Sequence, residues 1–195
     1  MQDNKSNIKV ISTETLSNNW ATLNKVKYEY LLKNGTIQVQ EREVYDRGNG
    51  AVILLYNKEK QTVVLTRQLR IPTWFNGNTD GMMIEACAGM LDDNNPEECI
   101  RIETEEETGY TLTKIKKVME VYMSPGSVTE ILYFFVAAYS DAMKTSEGGG
   151  AAHEQENIEV LEIPFKEANE MIAKGEIKDA KTIMLLQYAQ IHNLL

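Results

Sequence analysis

Asn95, Pro96, Glu98 and Gly109 bracket a stretch with little choice of conformation. Asn95 can cap a helix with its side-chain oxygen. Pro96 suits the first helical position, where a backbone N–H is not needed, and Glu98 stands where the acid of a capping box belongs. Gly109 supplies the left-handed residue on which helices end. Inside the helix so defined, Glu103 and Glu107 are four apart and Glu103 and Glu106 three apart, so three carboxylates share one face. The arrangement costs stability. Like charges at this spacing repel by roughly 0.2–0.5 kcal/mol per pair, and the C-terminal end of a helix disfavours negative charge. A helix shaped for stability alone would carry lysines there. A hard divalent cation between the carboxylates reverses the penalty, and Mg2+ takes oxygen ligands of this kind. The competing reading is a solvated acidic face, which is common.

The 195 residues suffice for one domain of ordinary size with a modest extension, and 43% hydrophobic residues suffice for its core. A net charge of −9 with no basic run argues against a nucleic-acid surface. It suits a protein that recruits cations and holds phosphates through them. Cys87 and Cys99 lack metal-ligand spacing and read as buried thiols outside any disulfide framework, which indicates a reducing compartment. No apolar run is long enough to cross a bilayer and residues 1–10 have no signal-peptide pattern, so no membrane partner is expected and the expected location is cytoplasmic.

Along the chain, residues 1–24 are polar with one aromatic, Trp20. Residues 26–32 and 36–45 alternate like strands around a turn at Lys33-Asn-Gly35, and Asp46-Arg-Gly-Asn-Gly50 punctuates the chain. Strands are expected at 51–56 and 62–70, a loop with exposed aromatics at 71–81, and a strand at 84–88 leading into the acidic helix. Further strands are expected at 115–123, 131–139 and 158–163, a flexible glycine-rich loop at 146–157, and helices at 165–174 and 179–193. Mixed strands interleaved with helices indicate an α/β sandwich.

Glu85-Ala-Cys-Ala-Gly89, then an acidic turn, then Glu103, Glu106, Glu107, Gly109 and Tyr110 resemble the Nudix box. That strand-loop-helix module binds Mg2+ and diphosphates and follows G-x5-E-x7-R-E-U-x-E-E-x-G-U, with U bulky and apolar. Ile102 stands where the pattern has arginine and Thr104 where it has an aliphatic residue. Counted from Gly89 the stretch is one residue shorter, which puts the early acid on Asn94 or Asn95. The arginine normally holds the metal-binding glutamates, and Arg101 or a lysine from elsewhere is the candidate substitute.

Outside the box the chain is similar to the nucleoside-diphosphosugar branch of the Nudix hydrolases. Arg42-Glu-Val-Tyr-Asp-Arg-Gly-Asn-Gly-Ala51, Tyr122-Met-Ser-Pro-Gly126 and Gly148-Gly-Gly150 carry this similarity, with residues 158–162 and 175–181. Pro125 also lies sixteen positions after Gly109, as in that branch. The resemblance implies an α/β/α Nudix sandwich with a mixed sheet over residues 46–195, preceded by a small N-terminal β region, 1–45, used for dimerisation and substrate contacts. It implies Mg2+-dependent hydrolysis of a nucleotide-sugar diphosphate, with Mn2+ a possible substitute. GDP-mannose, giving GMP and mannose 1-phosphate, is the leading substrate. ADP-ribose or another nucleoside diphosphosugar is the alternative, and a catalytically weak nucleotide-sugar binder, favoured by Ile102, is a third reading. An unrelated cation-binding acidic domain is the reading outside the family.

Carried over by position, the metal ligands are Glu103, Glu107, Glu156 and the backbone carbonyl of Ala88, with Glu106 a further ligand or orienting acid. Glu156 and Glu106 are the catalytic candidates, with Glu154 the alternative loop acid. Substrate contacts fall on Trp20, Arg42, Glu43, Arg70, Ala88, Gly89, Met90, Glu107, Glu130, Gln155, Glu156 and Lys181. Trp20 can stack on a base, or be a hairpin core residue; Arg70 can hold phosphate, or be an ion pair at a strand end. His153 and His192 read as bystanders. A homodimer with composite active sites is implied.

Overall fold

Three antiparallel strands open the chain: β1 (Ile8–Asn18), β2 (Thr22–Leu31) and β3 (Ile37–Asp46). The turn between β2 and β3 is the expected one, with Gly35 at φ 82° and its N–H on the Leu32 carbonyl at 2.9 Å. The first strand lies in the stretch read only as polar. Its pairing with β2 shifts register between Val10 and Ser12 and again between Thr15 and Ser17. These bulges break the two-residue alternation by which a strand is read. The computed structural model describes residues 7–91, 94–151 and 156–195. They fall into two compact units, one running to Asn49 and including Tyr122–Ile131, the other made of Gly50–Val121 and Leu132–Leu195.

The second unit is built on β4 (Gly50–Asn57), in which Ala51, Val52, Ile53, Leu54 and Leu55 are all 0% exposed. A strand apolar on both faces needs a layer on each side. Its neighbours are β5 (Thr62–Leu69), β6 (Met82–Glu85), β7 (Ala88–Met90), β8 (Lys116–Tyr122), β9 (Ile131–Ala138) and β10 (Glu159–Pro164). Among the described residues these form one sheet in the order β10-β5-β4-β9-β8, with β6 on β5 and β7 on β4. The sheet is mixed, because β4 runs parallel to β9 and antiparallel to β5. Helix α1 (Ile71–Phe75) follows β5, α2 (Pro96–Thr108) follows β7, and α3 (Phe165–Lys174) and α4 (Ala180–Ile191) end the chain.

Alternation along β4 assigns the layers. Ala51, Ile53 and Leu55 share a core with Cys99 and Ile100 of α2 and with Tyr110, Phe135 and Tyr139. Val52 and Leu54 point the other way, and α4, which packs on β4, brings buried Leu185, Leu186 and Ala189. The α/β sandwich with a mixed sheet and a preceding β region is thus as expected. Two local expectations change. The 71–81 loop holds the short exposed helix α1, whose first turn accepts Pro72. The strand expected at 84–88 is two strands, because the chain crosses from β5 to β4 at Ala86 and Cys87. There the Ala86 N–H donates to Thr182 Oγ1 at 2.6 Å, and the Cys87 carbonyl accepts from Ile53 at 2.9 Å.

Candidate active site

Helix α2 forms as its caps dictate. Asn95 Oδ1 accepts from the N–H groups of Glu97 at 3.1 Å and Glu98 at 3.0 Å, and Asn95 Nδ2 donates to Glu98 Oε2 at 3.1 Å. Gly109, at φ 77°, closes the other end. The buried side carries Cys99, Ile100, Thr104, Glu107 and Thr108. Thr104 is accommodated in place of an aliphatic residue because its hydroxyl donates to the Ile100 carbonyl at 2.6 Å. Of the three acids, Glu107 is 1% exposed, Glu103 is half-buried and Glu106 is exposed.

Glu107 is the electrostatic centre. Its Oε2 accepts from the Ala88 N–H at 3.3 Å, and the Cys87 thiol also donates to it. Burial pushes its carboxyl up to about 7 from an ordinary 4.5. The Cys87 hydrogen bond opposes that rise, and the charge of Glu156 adds to it. Burial and the Glu107 charge in turn hold the Cys87 thiol well above its usual range. Glu103 lies over Gly89, where any Cβ would overlap its carboxyl. Glu156 Oε2 accepts from the Ala151 N–H at 3.0 Å.

The glycine run is not a loose hinge. Gly149 donates to the Glu107 carbonyl at 2.9 Å and Gly150 to the Glu106 carbonyl at 3.0 Å. The last carbonyls of a helix lack partners of their own, and the run supplies them. A Cβ at Gly148 would overlap the Glu107 backbone, so the close approach requires glycine. This anchoring brings Glu156 into the field of Glu107.

Ahead of Ala88 in the chain, Arg70 and Lys181 converge on Glu85, which is 4% exposed. Arg70 Nη2 and Lys181 Nζ lie 2.8 and 3.0 Å from its two oxygens. Met90 offers its carbonyl to the Cys99 thiol at 3.1 Å. Cys87 and Cys99 are buried thiols with no disulfide between them. In the N-terminal unit, Trp20 is 69% exposed on the β1–β2 turn, so it is not a core residue. The Arg47 guanidinium lies 5.3 Å from its ring centroid and pairs with Glu130 at 3.4 Å. Arg42 and Glu43 line a cavity of about 580 Å³ with Tyr28, Tyr122 and Thr129. Gln155 and the alternative acid Glu154, with His153, lie outside the described residues.

Residues 46–186 match the family described as NUDIX domain. The chain belongs to the Nudix family. It is an enzyme, a Nudix pyrophosphatase. Residues 7–45 match the family described as GDP-mannose pyrophosphatase NudK N-terminal domain. The chain is similar to GDP-mannose pyrophosphatases of Klebsiella pneumoniae, at 54% identity over 97% of this chain and 94% of that one, and of Enterobacter sp. strain 638, at 55% over 96% and 97%. A solved structure described as an ADP compounds hydrolase shares the fold, with a TM-score of 0.71 at 16% identity over 96% of this chain and 97% of that chain.

Within this Nudix box, Arg101 does not replace the arginine that Ile102 displaces. Its guanidinium bonds the Leu112 carbonyl at 2.6 Å and Glu97 at 2.7 Å instead. The cation that reaches Glu107 electrostatically is Arg70, which lowers its pKa against the burial. Glu85 was not singled out from sequence; its only signal was an acid opening the Glu-x-x-Ala-Gly run. Nudix hydrolases generally use divalent ions such as Mg2+. Among the described residues no three His, Cys, Asp or Glu side chains gather into a closed ligand cluster. The donors suit a hard cation all the same. They are oxygens, one is a buried carboxylate with imperfect compensation, and Gly89 leaves the Glu103 carboxyl room beside the Ala88 backbone.

Proposed function

We propose that this Nudix pyrophosphatase hydrolyses the diphosphate bond of a nucleotide-sugar with Mg2+, and that GDP-mannose is its substrate, giving GMP and mannose 1-phosphate. The observation that carries the reading is the buried Glu107 carboxylate, raised to about 7, beside Ala88 and within the field of Glu156. A negative charge kept in so unfavourable a place is explained by a cation that offsets it. The names of the relatives, at 54–55% identity over nearly the whole chain, support the substrate, as does the match over residues 7–45.

Glu103, Glu107, Glu156 and the Ala88 carbonyl would hold the ion, with Mn2+ a substitute. Bound there, it would neutralise diphosphate oxygens and lower the pKa of a water. The chain's own groups do the rest. Ala88 fixes Glu107 through its N–H, and Gly89 gives Glu103 its place. Glu156, braced at Oε2 by the Ala151 N–H, would also orient the attacking water and take its proton as the new P–O bond forms and the anhydride bond breaks. Glu106, exposed on the same helix, is the further orienting acid. Arg70, Gly89, Met90, Gln155 and Lys181 contact the substrate.

Residues 1–45 act as a dimerisation and substrate-contact region ahead of a hydrolase domain at 46–195, in a two-fold homodimer with composite sites. Val10, Ile37 and Val39, each more than half exposed on a small sheet, support a covering partner. Trp20, exposed with the Arg47 guanidinium 5.3 Å from its ring centroid, stacks on the base, and Arg42, Glu43 and Glu130 contact the substrate with it. Two buried cysteines without a disulfide framework, Cys87 and Cys99, support a reducing, cytoplasmic location. The test is a panel of nucleoside diphosphosugars, ADP-ribose included, with Mg2+. GDP-mannose should give the highest kcat/KM. A clear preference for ADP-ribose, or no turnover of any member, refutes the assignment.

A further inference from the structure

We infer that Glu85 is a positioning residue for anion binding: its carboxylate sets Arg70 and Lys181 at a fixed spacing to receive the substrate diphosphate, an inference that rests on the reading above. A buried carboxylate persists only where it is paired and hydrogen-bonded, and Glu85, 4% exposed, divides its two oxygens between two cations. Oε2 accepts from Arg70 Nε at 2.8 Å, with Nη2 of the same guanidinium 2.8 Å away as an ion pair, and Oε1 accepts from Lys181 Nζ at 3.0 Å. Arg70 follows the end of β5 and Lys181 sits in the first turn of α4. Glu85, at the end of β6, is the group that both of them bind.

The two cations are held differently. Lys181 is also tied to Asp179 Oδ1 at 2.8 Å, and its side chain is 13% exposed. Asp179 Oδ2 caps α4 at the Thr182 N–H, 2.9 Å away, and the Thr182 hydroxyl accepts the Ala86 N–H at 2.6 Å. Lys181 is therefore fixed by a helix cap that is itself fastened to the residue after Glu85. Arg70 is bound along one edge only, and its side chain is 40% exposed. Among the described residues its Nη1 donors meet no hydrogen-bond or ion-pair partner, and they form part of the planar array that suits phosphate oxygens.

Two cations and two carboxylates leave this group without net charge. What it offers an anion is therefore geometry rather than long-range attraction. Its place is right for the purpose. The same segment that starts at Glu85 reaches Ala88, whose N–H donates to Glu107 at 3.3 Å. The diphosphate would then be held by Arg70 and Lys181 next to the box carboxylates, to which the Glu85–Ala88 segment joins them.

The test is calorimetric titration of the full-length protein with inorganic diphosphate at fixed Mg2+. It compares wild type, Glu85→Gln, Glu85→Asp, the pair Arg70→Ala/Lys181→Ala, and the triple variant with Glu85→Gln. Glutamine can accept from one cation only and turns an amide donor on the other. Aspartate keeps the charge but is one methylene too short to reach both. Each Glu85 variant should weaken diphosphate binding by about tenfold or more, with Mg2+ affinity unchanged. Glu85→Gln should add nothing in the Arg70→Ala/Lys181→Ala background, since residues acting through one another are not additive. The inference is overturned if Glu85→Gln binds as tightly as wild type or tighter, which is what losing a negative charge alone would give. It is overturned equally if Glu85→Asp matches wild type, or if the Glu85→Gln loss persists in full in the triple variant, which marks general damage to the fold. If Glu85→Gln does not fold, Glu85→Asp decides the matter alone. Wild type that binds diphosphate yet hydrolyses no nucleotide-sugar would refute the proposed function and leave this inference standing.

Discussion

Glu107→Gln should stabilise the metal-free protein at pH 8 and give no such gain near pH 4. In the folded chain the Glu107 carboxyl titrates at about 7, against 4.5 when exposed. Its folded pKa is raised, so between these values the folded state holds a proton that the unfolded state has lost. Stability therefore falls as pH rises through that window. About 2.5 units at 1.36 kcal/mol each amount to about 3 kcal/mol, fully felt above pH 7. Because Glu107 is 1% exposed, solvent screening removes little of this. Glutamine keeps the shape and can accept the Ala88 N–H without the charge. For a chain of this size, 1 kcal/mol moves Tm by about 2–4 °C, so the variant should melt roughly 6–12 °C above wild type at pH 8. The assay is thermal unfolding in EDTA from pH 4 to pH 8. Parallel wild-type and Gln curves across that range would refute the reasoning, since the penalty would then not come from ionising Glu107. Mg2+ should reverse the order at pH 8, because it binds the wild-type carboxylate and has less to hold in the variant.

Glu156→Gln should lower kcat by about 10²–10⁴ with little change in KM, as expected for a group felt mainly in the transition state; unchanged kcat would make it a solvated bystander. Gly89→Ala should leave Tm nearly unchanged and weaken Mg2+ binding by roughly 10–100-fold, read by calorimetry, because the new Cβ displaces the flexible Glu103 side chain rather than backbone. Deleting residues 1–45 should cost both dimerisation, read by light scattering, and substrate affinity. A monomer with unaltered KM after that deletion would overturn the proposed assembly.

The acidic helix was legible because its boundaries are local chemistry. Asn95, Pro96 and Gly109 act through backbone groups within a few residues, and no distant contact overrides them. The central strands were legible because unbroken apolar runs such as Ala51–Leu55 have few alternatives to burial on both faces. What was missed depends on partners far along the chain. Strand β1 hid behind bulges that its pairing with β2 imposes. The break at Ala86 and Cys87 depends on Thr182 and Ile53. The glycine run reads as mobile until the carbonyls of Glu106 and Glu107 are seen to need donors. Glu85 looked like any acid at a strand end until Arg70 and Lys181 arrived from opposite parts of the chain.

The most direct measurement of the central claim is phosphorus NMR of GDP-mannose incubated with the enzyme, with Mg2+ and with EDTA, for wild type and Glu107→Gln. GMP and mannose 1-phosphate should accumulate together in the wild type with Mg2+, and only there. Equal turnover in EDTA or in Glu107→Gln would contradict the claim that the Glu107 carboxylate holds the ion the reaction needs. GDP with free mannose as products would contradict hydrolysis at the diphosphate bond.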